Sequence, residues 1–125
     1  MRLGETYLLR AEARFKQNNS TGAAADINVL RNRASASNVI SSDISLNFIL
    51  DERARELIGE ENRRMTLVRT GTLVQRASTL TGTTTLAGGA IETTNGLKSF
   101  HALLPIPQSE INLNKDAVLE QNPGY

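Results

Sequence analysis

The residues best placed to do chemistry crowd into one segment, "ILDERARELIGEENRRMTLVRTG", from Ile49 to Gly71. Glu52 and Glu56 stand four apart, so a helix would put them on one face, where a carboxylate pair can serve acid/base catalysis. The same segment is dense in arginine. Asp51–Arg55 and Glu60–Arg64 are four apart, and Glu52–Arg55 and Glu60–Arg63 are three apart. At these spacings opposite charges meet on a helix surface, each pair contributing about 0.2–0.5 kcal/mol. Nothing else converges on Glu52 and Glu56, so the segment reads first as a solvated helix supported by ion pairs. A sharper reading places Arg53, on the apolar face, in a partly buried network with Glu52 or Glu56 that binds this helix to the C-terminal tail. Such a network adds little stability but fixes register.

Other reactive types are sparse. His101 is the only histidine, with no H-E-x-x-H motif and no Ser-His-Asp order around it; it reads as a tail residue satisfied by backbone. Gly88-Gly89 lacks the Lys-Ser/Thr that a phosphate loop requires. The absence of cysteine rules out a disulfide framework, a cysteine zinc site and a thiol nucleophile. Sugar platforms need exposed aromatic faces. Tyr7, Phe15 and Phe48 fall on or near apolar stripes, which leaves Phe100 and Tyr125, and both serve equally well as anchors for the tail. A glycoside hydrolase needs two carboxylates about 5–10 Å apart across a cleft, and no aromatic cleft is visible. The expectation is therefore not an enzyme, with no catalytic, cofactor-binding or metal residues, no cofactor, and no residue assigned to ligand binding.

These groups have to be held by a small scaffold. A chain of 125 residues suits one domain, residues 1–125. Its formal net charge of +1 and its lack of a basic run argue against nucleic acid. Eleven of the fourteen cations are arginine, the type suited to fixed pairing with carboxylates. No apolar stretch approaches the ~18 residues of a membrane span.

Apolar spacing predicts a first helix over Leu3–Gln17, with Leu3, Tyr7, Leu8, Ala11 and Phe15 as its stripe. A second spans Gly22–Ala34, capped by Ser20 or Thr21, with Ala23, Ile27, Leu30 and Ala34 inward. The small face Ala23-Ala24-Ala25 allows close approach, and the antiparallel pair resembles one tetratricopeptide repeat. A polar linker covers Ser35–Ser42. A long third helix, capped by Ser42 or Asp43, buries Leu46, Ile49, Leu50, Arg53 and Leu57 and runs to Val68, with Gly59 weakening it but not ending it. Gly71 breaks the pattern, and a short helix covers Thr72–Ala77. Ser78–Ser99 is rich in Thr and Gly and reads as a plain loop in preference to a small hairpin around Gly88-Gly89. Pro105 and Pro107 force an extended crossing at Leu103–Pro107. Pro107 then opens a short helix at Gln108–Leu113 as its first residue, and Asn122-Pro123-Gly124 is turn chemistry. Leu103, Leu104, Ile106 and Ile111 are the expected anchors of this strap. The fold class is mainly α: a tetratricopeptide-like helical pair plus a long helix, a Thr/Gly-rich loop and an extended C-terminal strap.

Three stretches taken together point further. "RLGETYLLRAEARFKQNNSTGAAADINVLRNRA", "ILDERARELIGEENRRMTLVRTGTLV" and "LLPIPQSEINLNKDAVLEQNPGY" cover roughly 80 positions, and in that order they resemble the C-terminal part of the SusD/RagB family. The resemblance implies a helical, non-catalytic lipoprotein on the outer membrane of Bacteroidetes-type bacteria. Such proteins capture glycans or other nutrients as a lid on a SusC-type TonB-dependent transporter. It also implies that this chain is a C-terminal fragment, with the anchor and the ligand-binding part upstream, which agrees with the abrupt start at Met1. Faces left without neighbouring repeats would favour a homo-oligomer. Two positions depart from the family pattern: Arg64 stands where Trp is usual and Thr66 where Asp is usual, so the packing of that helix end is open. The alternative is a stand-alone helical protein-interaction module on a shortened scaffold.

Overall fold

Fourteen residues from Leu3 to Lys16 wind into α1, and α2 (Ser20–Arg33) returns against it across a three-residue turn. The computed structural model describes the backbone of residues 2–80, 84–85, 91–92 and 99–125, and the side chains of residues 2–77 and 100–125. These residues form two compact units, Met1–Glu61 and Asn62–Tyr125. The fold is mainly helical, as the apolar periodicity predicts.

In the first unit, the turn between α1 and α2 is made by asparagines. Asn18 sits in the left-handed region, φ +60°, which its short polar side chain tolerates. Asn19 then caps α2, its carboxamide oxygen accepting the Gly22 N–H at 2.8 Å. The chain reverses early enough for Ser20 to be helical already, so neither Ser20 nor Thr21 is the cap. Ala11, Ala23, Ala24, Ile27, Val39, Ile44 and Ile49 form one cluster, with Phe15 and Phe48 packed on it. Leu8, Leu30 and Leu57 form a second, flanked by Tyr7. Leu3, Ala25 and Ala34, expected on the inner faces, are exposed. The linker is anchored by Val39: the Asn28 carboxamide donates to its C=O at 2.9 Å and accepts its N–H at 2.8 Å.

Ser41–Asp43 forms a single 3-10 turn, and Asp43 accepts the Ile40 N–H at 3.0 Å. That turn delays the third helix, α3 (Leu46–Glu56), whose cap is Ser45, accepting the Phe48 N–H at 3.1 Å. Ser42 and Asp43 are therefore not its caps, and it does not reach Val68. Gly59 takes φ +74°, a value that glycine adopts freely and a helix excludes. Asn62 then caps a separate helix, accepting the Met65 N–H at 3.4 Å.

The second unit begins with that helix, α4 (Arg63–Arg69), which ends before Gly71 at φ +69°. α5 (Leu73–Leu80) packs on it and runs three residues past the expected Ala77. In the Thr/Gly-rich stretch, β1 (Thr84–Thr85) pairs antiparallel with β2 (Ile91–Glu92), Thr84 opposite Glu92 and Thr85 opposite Ile91. A two-rung hairpin ladder is present where a plain loop is the favoured expectation; Gly88-Gly89 and most of residues 78–99 lie outside the described residues.

The tail is an ordered strap, held differently from the expectation. A 3-10 turn at Ser99–Ala102 leads to an extended run and then to α6 (Gln108–Leu113). Pro107 is the N-cap of α6, with ψ 134°, and not its first helical residue. Leu103 and Leu104 are 52% and 66% exposed, and Ile106 and Ile111 are half-buried, so the leucines do not anchor the strap. Polar groups do. The Gln121 carboxamide accepts the Ile106 N–H at 2.7 Å and donates to its C=O at 2.9 Å. Asn122 donates to Leu104 O at 2.7 Å, and the Tyr125 hydroxyl donates to Leu103 O at 3.0 Å. The Tyr125 ring meets Phe100 edge-on at 5.2 Å, and His101 lies 4.2 Å from Phe100. Arg64 donates to His101 O at 2.9 Å and so ties α4 to the strap. Thr66 is buried in α4.

Candidate functional site

Four carboxylates of the charged segment, Glu52, Glu56, Glu60 and Glu61, are each engaged by arginine. Glu52, nearly buried near the middle of α3, takes Arg31 from α2 and Arg55 from its own helix, the latter at 2.7 Å. Glu56, one turn on, takes Arg33 from α2 at 2.7 Å and Arg2 at 3.1 Å. Arg2 also donates to the Glu56 carbonyl and pairs with Glu60 at 2.6 Å. Gly4 makes room for this arrangement, since a Cβ there would lie 2.6 Å from Glu56 Oε1. Of the four helix-surface pairs suggested by spacing, Glu52–Arg55 forms. Glu60 lies beyond the end of α3, so its spacing to Arg63 and Arg64 is no longer helical.

Arg53 occupies the apolar face and is 3% exposed. Its Nε donates to Glu61 at 2.6 Å and its Nη2 to Glu5 on α1 at 3.3 Å. The network therefore ties α3 to α1 and to the turn after α3, with Glu5 and Glu61 as partners, where the charge pattern suggests Glu52 or Glu56 and the tail. Arg53 Nη1 is buried and has no hydrogen-bond partner.

A further brace lies between α1 and α2. Asp26 is almost fully buried and accepts Arg10 at 2.6 Å and Arg14 at 2.9 Å. The hydrogen bond from Arg10 to Asp26 holds that guanidinium above its ordinary value, against the opposing effect of desolvation. Glu12 pairs with Lys16 at 2.8 Å. The signal for Asp26 is present in the sequence: it falls among Ala23, Ile27 and Leu30 on the buried side of α2, where an acid requires a cation. The spacing of Arg10 and Arg14 supplies two.

A cavity of about 200 Å³ in the first unit is lined by Arg2, Glu5, Leu57, Glu60 and Glu61. In the second unit, an apolar cavity of about 260 Å³ is lined by Leu67, Val68, Gly71, Leu73, Val74 and Ala102. Among the described residues no cluster of three His, Cys, Asp or Glu side chains is arranged to hold a metal ion, and no helix is long and apolar enough to cross a membrane.

A family model described as the SusD family matches residues 1–125. The chain is similar to the starch-binding protein SusD of Bacteroides thetaiotaomicron, 39% identical over 124 residues, which cover 99% of this chain and 21% of that protein. It is also similar to SusD-like protein P25 of Formosa agariphila, 32% identical over 134 residues, covering 99% of this chain and 24% of that one. The chain thus spans about a fifth to a quarter of the length of these curated relatives. No solved structure matches it.

Proposed function

The chain belongs to the SusD family, and on that premise we propose that it supplies a charge-braced helical scaffold to a non-catalytic, outer-membrane nutrient-binding protein. The nutrient is a glycan, and the partner is a SusC-type TonB-dependent transporter at the cell surface. The name of the Bacteroides relative makes starch the first glycan to test.

One observation carries the non-catalytic part of the reading. Both carboxylates with acid/base spacing, Glu52 and Glu56, are each held by two arginines. A carboxylate whose oxygens are taken up by guanidinium donors is poorly placed to reach a proton of a substrate. Exposed Leu3, Val29, Ile40 and Ile58 in the first unit support self-association, which light scattering would report.

The test is to solubilise outer membranes of the source organism in mild detergent and recover the native protein with an antibody to this chain. The expected result is co-recovery of a TonB-dependent transporter, retention on amylose resin and no release of reducing sugar. Recovery from the soluble fraction alone, without transporter or glycan retention, would move the reading to a helical protein-interaction module.

A further inference from the structure

The strap of the second unit contains one extended run, Leu104–Pro107, in a stretch from Phe100 to Ser109 that carries no Asp, Glu, Lys or Arg. Leu103 and Leu104 are exposed. Extended backbone that is apolar, uncharged and exposed is a template on which a strand of another chain can add. Yet this run has almost nothing to offer such a strand. The Gln121 carboxamide bonds both the N–H and the C=O of Ile106, which requires the two groups to point the same way, as they do in a strand. Leu104 O, two residues earlier and so on the same edge, accepts from Asn122. The opposite edge belongs to residues 105 and 107. Both are proline, so that edge has no N–H to donate, and Pro107 O already accepts the Glu110 N–H at 2.9 Å as α6 begins. Leu103, at the head of the run, is closed as well: its N–H donates to Phe100 O at 3.0 Å and its C=O accepts from the Tyr125 hydroxyl.

We propose that the prolines on one edge and the Gln121 carboxamide on the other keep the strap from taking up a strand of a second copy of this chain. The two edges are blunted by different means. The first meets residues 121 and 122, whose carboxamides stand where a partner strand would bond. The second is blunted by removing donors from the backbone itself, which needs no partner at all. An identical copy is the intruder to exclude, because in-register pairing would set Leu104 beside Leu104 and Ile106 beside Ile106. The inference concerns the second unit alone and does not depend on what the protein binds.

The test restores a donor. In the 125-residue chain, Pro105→Val puts an N–H on the second edge with a residue type suited to strands. Pro123→Val, at a turn, is the control for the loss of a proline. Light scattering and amide hydrogen exchange are followed as protein concentration rises. For Pro105→Val the expected mass is about twofold above the parent's at the same concentration, the step from one copy to two. Protection of the amide created at position 105 should rise with concentration, and Pro123→Val should follow the parent. Adding Leu104→Lys to Pro105→Val should return the mass to the parent's, because a lysine on an edge strand opposes pairing with a second copy. The proposal is overturned if Pro105→Val keeps the parent's mass or if Pro123→Val associates equally. It is also overturned if amide 105 is protected to the same degree at every concentration, since its acceptor would then lie within the same chain. If Pro105→Val loses the parent's helical circular dichroism, Gln121→Ala decides by the same readouts, because it opens the first edge at Ile106. Concentration-dependent protection of the Ile106 amide with a raised mass supports the proposal, and a mass equal to the parent's overturns it.

Discussion

Arg53 and Glu61 are eight residues apart and joined by a 2.6 Å hydrogen bond, with both side chains buried. In a continuous helix, eight residues separate two positions by about 12 Å along the axis, so the bond can form only because α3 ends between them. The pair both depends on the break at Gly59 and closes it, bringing the turn back over the apolar face that Arg53 occupies.

Cutting this pair from one side leaves a buried charge without its partner. Arg53→Met or Glu61→Leu alone should cost about 3–5 kcal/mol in urea unfolding. The double variant should lose clearly less than the sum of the two. Additive losses would mean that the pair does not act as a unit.

Gly59 offers a test of sign. A non-glycine residue in the left-handed region costs about 1–2 kcal/mol, so Gly59→Ala should destabilise, although its Cβ would meet no neighbour. Were the helix continuous through this point, the same change would stabilise by up to about 1 kcal/mol. Chemical denaturation of the one variant separates the two geometries.

The strap can be tested by pairing a polar with an apolar change. Gln121→Ala removes both hydrogen bonds to Ile106 and should cost about 1–3 kcal/mol, with faster proteolysis near residue 106. Leu104→Asp places its charge on a side chain that is 66% exposed and should stay within about 0.5 kcal/mol of the parent. A large loss for Leu104→Asp with none for Gln121→Ala would restore the apolar anchors.

Asn28 holds Val39 in the same way, one carboxamide bonded to both the N–H and the C=O of a single residue. Asn28→Leu should cost about 1–3 kcal/mol and abolish protection of the Val39 amide in hydrogen exchange. Protection that survives the substitution would mean the linker is pinned by the burial of Val39 alone.

Most of the helices could be read from the chain, because apolar periodicity is a local property: α1, α2, the start of α6 and the breaks at Asn18-Asn19 and Gly71 all follow from residue types a few positions apart. The family could be read as well, from three ordered motifs. Local spacing also identifies Glu52–Arg55, since both partners lie on one turn of helix. It marks Asp26 as an acid in need of a cation, but it does not identify Glu5 or Glu61 as partners of arginine, because those pairs join elements distant in sequence, and any of eleven arginines could have answered either acid. The end of α3 lay beyond local reading for a related reason. A glycine in a helical pattern costs only about 1 kcal/mol, so whether it bends, continues or stops the helix is decided by what the next residues gain elsewhere. Here Glu61 gains Arg53, and Asn62 gains a helix to cap. Likewise the prolines determine that the tail is extended, while only the tertiary structure decides that side-chain amides hold it and that its leucines face outward, since an extended run presents alternate faces with equal ease.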